Sequence, residues 1–346
     1  MKRTVPVLLA LLAGLVILPG CGKKDTKVLN IFIWSAYLPD TVIQQFTQRT
    51  GIRVNYDTYD SNEALLEKLQ SGVADYDIVV PSDYMVKILV SEGLVQAIDH
   101  GQLSHWGNLD PKFLNKKFDP ENRYSIPYFW GTTGIGYNRQ NVAEPVDSWG
   151  VMFDEKHAGR ILMLDDMREC FAVALKYMGH SLNETDPAVL AQAADLLKKQ
   201  KALVKTYNSG DFHNILASGD VDLAHGYNGQ LAEVVANEPE KLAYVVPREG
   251  GTFWMDNMCI PARARNVAHA YAFLNFIMEP EVNAEIVNAV SYASANVPAR
   301  QFIESSILED EAIYPSDEIL GRCEFIEDIG DAVTAMDKFW TEIKAQ

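Results

Sequence analysis

The chain has 346 residues, a formal net charge of -17, 48% hydrophobic side chains and 22% charged ones. That length predicts two domains, each able to bury its own core, and the composition excludes a disordered or low-complexity chain. The acidic balance argues against nucleic acid, whose phosphates demand clustered Lys and Arg, and favours small cations through long-range attraction.

Lys2 and Arg3 precede an apolar run from Val5 to Leu18, and a small residue, Gly20, stands before Cys21. The run is shorter than the roughly 20 residues that cross a bilayer, so 1–20 read as an export signal. Ile17 to Cys21 resembles a bacterial lipobox. The resemblance implies cleavage before Cys21, lipidation of that cysteine, a linker over 21–27, and a periplasmic or cell-surface protein held to the membrane by its lipid anchor only. Cys170, Cys259 and Cys323 then remain, an odd set that allows one disulfide or three small buried thiols, with no C-x-x-C spacing.

Val28 to Trp34 is a β-branched, apolar run that predicts a buried strand, and Pro39 to Thr50 predicts a helix that Gly51 ends. Ile52 to Tyr56 follows as a second strand. Ser61-Asn62-Glu63 opens a helix to Gly72, Asp77 to Val80 is a third strand stopped by Pro81, and Ser82-Asp83 caps a helix from Tyr84. This β-α-β-α-β order predicts a parallel sheet whose ligands gather beyond the carboxyl ends of its strands. Trp34, Ser35 and Tyr37 follow the first strand and Ser82 and Tyr84 the third, so both groups face one edge.

Tyr124 to Tyr128 and Gly131 to Asn138, punctuated by Gly131, Gly134 and Gly136, read as a crossover carrying a short strand. A second α/β unit follows. Ile161 to Leu164 is a strand, Asp165 to Glu169 opens a helix, Pro187 to Leu203 is helical, and Val221 to Tyr227 is a strand entering a helix at Asn228. Leu242 to Val246 is a strand, Ala268 to Met278 a helix, and the C-terminal region is helical to Lys344. Within the extended stretch Gly250 to Met258, Trp254 and Asp256 share one face and Phe253 and Met255 the other. An indole beside a carboxylate suits an alkylammonium: the ring stacks on the methylene stem and attracts the cation, and the acid accepts its N–H donors. The same residues also fit a buried Trp in a strand with Asp opening a turn. Asp166 and Glu169, three apart, either present two acids on one face or form a capping box with Glu169 paired to Arg168.

Taken in order, Trp34 to Tyr37, Asp75 to Tyr84, Tyr124 to Tyr128 with Trp130-Gly131, Asp165 to Glu169, Gly219 to Asp222 through Tyr227 to Gly229, Glu249 to Asp256, and Tyr292 with Asn296 resemble one family across nearly the whole chain past the leader. It is the family of polyamine-binding lipoproteins and periplasmic proteins that feed spermidine/putrescine ABC importers. The resemblance implies an α/β, two-lobed periplasmic-binding-protein fold of type II-like order, each lobe a mixed, mostly parallel sheet flanked by helices, with hinge strands between. It places lobe 1 at 28–131 plus 255–302 and lobe 2 at 132–254 plus 303–346, closing around the ligand by hinge bending. Trp34, Tyr37, Tyr84, Tyr227, Trp254 and Tyr292 match an aromatic box for the aliphatic stem, and plain core packing is the bland alternative for each. Asp166, Glu169 and Asp256 match the acids that neutralise buried amines, and Ser82 matches a hydroxyl beside the ligand or serves only as a helix cap. The resemblance implies a polyamine as ligand, a membrane permease as partner, and neither cofactor nor catalytic residue. Two positions depart from spermidine-selective members: Tyr227 stands for a Trp, and Ile326 for a Gln, with Glu327 beside it as a candidate replacement.

Rival functions leave little trace. A secreted enzyme lacks a G-x-S-x-G elbow, an H-E-x-x-H pair and a phosphate loop, and the seven histidines are scattered rather than spaced for a metal. Two acids in an aromatic cleft could still imitate a glycosidase. The same fold could instead hold another small cationic amine, whereas iron, sugars and anions call for other cleft residues.

Overall fold

β-Branched and apolar residues make Val28–Trp34 the first strand, β1, of a computed structural model that describes residues 27–35, 37–73 and 75–345. The leader, the lipobox and Cys21 lie outside the described residues. β1 pairs in parallel with β2 (Arg53–Tyr59) on one side and with β3 (Ile78–Val79) on the other. Helices Asp40–Thr50, Asn62–Ser71 and Asp83–Ser91 follow these strands in turn. The predicted stop signals act as expected: Gly51 and Gly72 adopt φ of 70° and 63°, and the Ser61 hydroxyl accepts from Ala64 N–H.

The remaining strands are β4 (Ser125–Asn138), β5 (Ile161–Met163), β6 (Val204–Tyr207), β7 (Leu223–Tyr227), β8 (Leu242–Val245), β9 (Phe253–Cys259) and β10 (Ala293–Ser294). β4 corrects the sequence expectation of a short strand. It runs unbroken for 14 residues and serves two halves of the molecule, pairing antiparallel with β9 over Ser125–Thr132 and with β7 and β8 over Thr133–Asn138. The path across the sheet is β2-β1-β3-β9-β4-β7-β5-β6. β5 pairs in parallel with β6 and β7, so each end of the sheet is parallel and the antiparallel pairs gather around the crossing strands.

Each half has its own cores. Ile31, Phe129, Met255 and Ile286 belong to one, while Met163, Phe171, Leu197 and Leu223 belong to another. The fold is therefore two lobes joined by β4, which runs through both. A further link comes from the bridge between Thr252 and Glu324, where Phe253 N–H donates to the Glu324 carbonyl at 2.8 Å. The C-terminal region is more broken than predicted: after helices Val267–Ile277 and Pro280–Val290 come short helices at Ser305–Leu308 and Asp317–Leu320, then Ala332–Lys344. Ile303, Ile307 and Ile313 pack into the first core, and Met336 and Ile343 into the second. Among the described residues Cys170, Cys259 and Cys323 are free thiols, the second of the two readings the sequence allowed. Among the described residues no helix is long and apolar enough to cross a membrane.

Candidate functional site

The carboxyl ends of β1 and β3 open toward the crossing strand β9, and a cleft forms where they meet the helix that follows β5. It encloses about 840 Å³ of empty space, its mouth included. Trp34, Tyr37, Ser82, Tyr84, Asp166, Glu169, Tyr227, Trp254, Asp256 and Tyr292, the ten positions singled out in the sequence, all line it. Ser35 and Ile326, noted in the sequence at the strand edge and at a departing position, line it too, and sequence reasoning missed Tyr59, Asp60, Asn62, Asp83, Ser209, Gly210 and Gln230 on the same walls. Among the described residues no Lys, Arg or His lines the cleft, whereas five carboxylates do: Asp60, Asp83, Asp166, Glu169 and Asp256.

Asp256 lies on β9, buried, and alternation along the strand turns it and Trp254 to the same wall, as expected. The Tyr37 hydroxyl donates to one of its oxygens at 2.7 Å and the Ser82 hydroxyl to the other at 2.6 Å. Ser82 is therefore no capping side chain. It precedes the helix Asp83–Ser91, but its hydroxyl is committed to Asp256. Burial pushes the Asp256 carboxyl up to about 6, and the two hydroxyl donors oppose that rise.

Asp83 is the acid the sequence hid, because a carboxylate after a strand and before a helix reads as a cap. Its oxygens accept from Tyr84 N–H at 2.7 Å and Met255 N–H at 3.0 Å, which ties the start of its helix to β9. Burial drives it to about 8 against the pull of these two donors, and the charges of Asp256 and Glu169 add to the rise. The signal that could have found it is the run Ser82-Asp83-Tyr84, three successive polar or aromatic residues leaving one strand end.

Asp166 is both cap and wall: it accepts from Glu169 N–H at 3.0 Å and lines the cleft. Burial raises it to about 7, with the Glu169 charge second. The capping box does not close. The Glu169 carboxylate turns away to accept from the hydroxyls of Thr133 at 3.0 Å and Thr252 at 2.9 Å, and Arg168 donates to the Glu327 carbonyl and to Asn183.

The rings form an angled box rather than a parallel stack. Trp254 meets Tyr292 with centroids 5.4 Å apart at 72° and Tyr227 at 6.1 Å and 88°, while Tyr37 meets Tyr292 at 5.1 Å. Gly131 is the register partner of Trp254 across the strands, and a Cβ there would stand 2.2 Å from the Asn228 amide oxygen and 2.5 Å from the indole, so only glycine leaves room for both side chains. Ile326, packed with Tyr84, Ala172 and Leu182, supplies an apolar part of the wall. Glu327 does not replace a polar contact there: it points outward and pairs with Lys117 at 3.0 Å. A slot walled by rings and acids, with no cationic side chain in its lining, is built for an organic cation that carries hydrocarbon between charges.

The sequence pattern of the bacterial extracellular solute-binding protein family matches residues 41–312. The spermidine/putrescine-binding periplasmic protein of Salmonella typhimurium is 37% identical over 347 residues, spanning 100% of this chain and 99% of that one. Two solved structures are similar throughout. The spermidine/putrescine ABC transporter substrate-binding protein PotD from Streptococcus pneumoniae, in complex with calcium and HEPES, has a TM-score of 0.81 at 34% identity, covering 92% of this chain and 99% of that chain. The Tp0655 (TpPotD) lipoprotein of Treponema pallidum has a TM-score of 0.83 at 30% identity, covering 92% and 100%.

Proposed function

The chain belongs to the family of bacterial extracellular solute-binding proteins, and on that premise we propose that its cleft captures a polyamine, putrescine or spermidine or both, and delivers it to the permease of an ABC importer. A family of solute-binding proteins binds and releases without turnover, so the chain is not an enzyme. The observation that carries the ligand class is the lining itself: five carboxylates, seven aromatic rings and, among the described residues, no basic side chain. Burying an ammonium without a partner costs several kcal/mol, on the order of what a paired acid restores.

In this proposal Trp34, Tyr37, Tyr84, Tyr227, Trp254 and Tyr292 hold the methylene stem extended, and Asp166, Glu169 and Asp256 answer the ammonium groups. Ser82 acts through Asp256, and Asp83 adds a further acid beside it. The bodies that close are 28–131 plus 255–302 and 132–254 plus 303–346. The packing of Ile303, Ile307 and Ile313 on the first core makes 303–313 the stretch where hydrogen exchange tests that division most sharply. The anchor is proposed at Cys21 on the lipobox resemblance and the lipoprotein relative. Metabolic labelling with a fatty acid should mark the wild type and spare Cys21→Ser; equal labelling of both removes the anchor from the account.

A second reading, another small cationic amine, is favoured by one observation, the apolar Ile326 in the lining, which offers no polar contact to a polyamine nitrogen. Calorimetric titration with putrescine, spermidine, spermine, cadaverine and agmatine separates these outcomes. Micromolar or tighter binding of putrescine or spermidine is expected, corresponding to about -8 kcal/mol or more. Binding of agmatine alone would move the ligand class, and binding of none would end the proposal.

A further inference from the structure

Glu169 is 4% exposed, and both of its oxygens are held from outside its own helix. The two donors are the hydroxyls of Thr133 and Thr252, each 1% exposed. Thr133 stands on β4 at the residue where that strand leaves β9 and takes up β7, and Thr252 immediately precedes β9. Thr133 N–H donates to the Thr252 carbonyl at 2.9 Å, so the two threonines are locked to each other where the lobes join. A buried threonine hydroxyl in a strand needs a partner, and here both point at one acid.

The surroundings show why the acid needs holding. The titratable groups around it are the acids Asp83 and Asp166, Arg168 immediately before it, Cys170, Tyr227, Tyr244 and His225. His225 on β7 is fully buried with neither ring nitrogen hydrogen-bonded, and its Nε2 is 3.7 Å from the nearer Glu169 oxygen. The two threonine donors therefore fix which way the carboxylate faces between that imidazole and the slot.

We propose that Thr133 and Thr252 are positioning residues that aim the Glu169 carboxylate at an ammonium of the ligand, so that the placement of this acid is fixed by the joint between the lobes. The inference rests on the polyamine reading of the cleft. It places two residues outside the cleft lining in control of affinity, one on or beside each crossing strand.

The test is a titration of putrescine and spermidine into the wild type, Thr133→Val, Thr252→Val, the double valine, and the two serine variants. Each valine variant is also made in a Glu169→Ala background. Single valines should weaken binding by about 3- to 10-fold and the double by more than tenfold, in keeping with loss of hydrogen bonds to a charged group. The serine variants, which keep the hydroxyl, should stay within about threefold of wild type, and in the Glu169→Ala background the valines should cost no more than about twofold. A double valine that binds like wild type overturns the inference, as does an equal loss in the Glu169→Ala background, which would mark the threonines as merely structural. A wild type that binds neither amine overturns the polyamine reading itself, and the inference falls with it.

Discussion

Asp83, Asp166 and Asp256, raised to about 8, 7 and 6 by burial, are partly protonated near neutral pH while the cleft holds no cation. A polyamine stays charged over that range and stabilises the ionised acids, so its binding must expel protons. Putrescine affinity should therefore rise between about pH 5.5 and 8, and titrations near pH 7 in buffers of different ionisation enthalpy should report net proton release. Flat affinity with no proton exchange would contradict this. The same shifts act on the empty protein with the opposite consequence: between the ordinary carboxyl value of 3.8 and these raised values the folded chain binds more protons than the unfolded one, so the stability these three acids contribute falls as pH rises through that window. At this scale Trp254 and Asp256 were legible because a two-residue period is written directly in the chain. Asp83 was not, and Ser82 could be read only as either a site hydroxyl or a cap, since the residues that claim them, Met255 and Asp256, are distant in sequence.

Strands β1 and β3 and the first helices were readable from apolar runs, caps and stop glycines, whereas β4 was split in two by glycines taken as turn marks. Those glycines make room instead: side chains of Trp254, Tyr244 and Leu231 come within 2.8 Å of where a Cβ would sit on Gly131, Gly134 and Gly136. β6 escaped notice because Val204–Tyr207 is only half-buried and carries no clear alternation. The closeness of the indole to β4 yields a prediction. Gly131→Ala should displace Asn228 and Trp254, lower putrescine affinity by at least about tenfold and cost about 1–3 kcal/mol of stability as an overpacked contact. Gly107→Ala, where a Cβ meets nothing within 4 Å, serves as control and should change neither. A Gly131→Ala protein with wild-type affinity in calorimetry would show that the indole does not need its seat on β4.

Across the whole molecule, the segment after Cys323 touches both lobes: Phe325 and Glu327 are held through Asn183 and Arg168, while Lys87 reaches Asp328 at 3.2 Å and Lys117 reaches Glu327 at 3.0 Å. These two ion pairs are exposed and screened, so each contributes no more than about 1 kcal/mol. Replacing Lys87 and Lys117 together by Ala should alter putrescine affinity by less than about threefold, and a tenfold loss would show that charge at the rim, not the slot, holds the lobes together. Two-lobed organisation followed from chain length and the repeat of α/β units; the way one strand serves both lobes did not, because crossing is a property of pairing partners rather than of local sequence. Everything proposed for the closed cleft depends on acids meeting amines between the lobes, and Asp256 sits where β9, the first strand's exit and the third strand's exit converge. Calorimetry of putrescine with Asp256→Ala tests that dependence directly. The account predicts a loss of one to two orders of magnitude, about 1.4 to 2.8 kcal/mol, with the unliganded melting temperature nearly unchanged; undiminished affinity in a folded variant would contradict it.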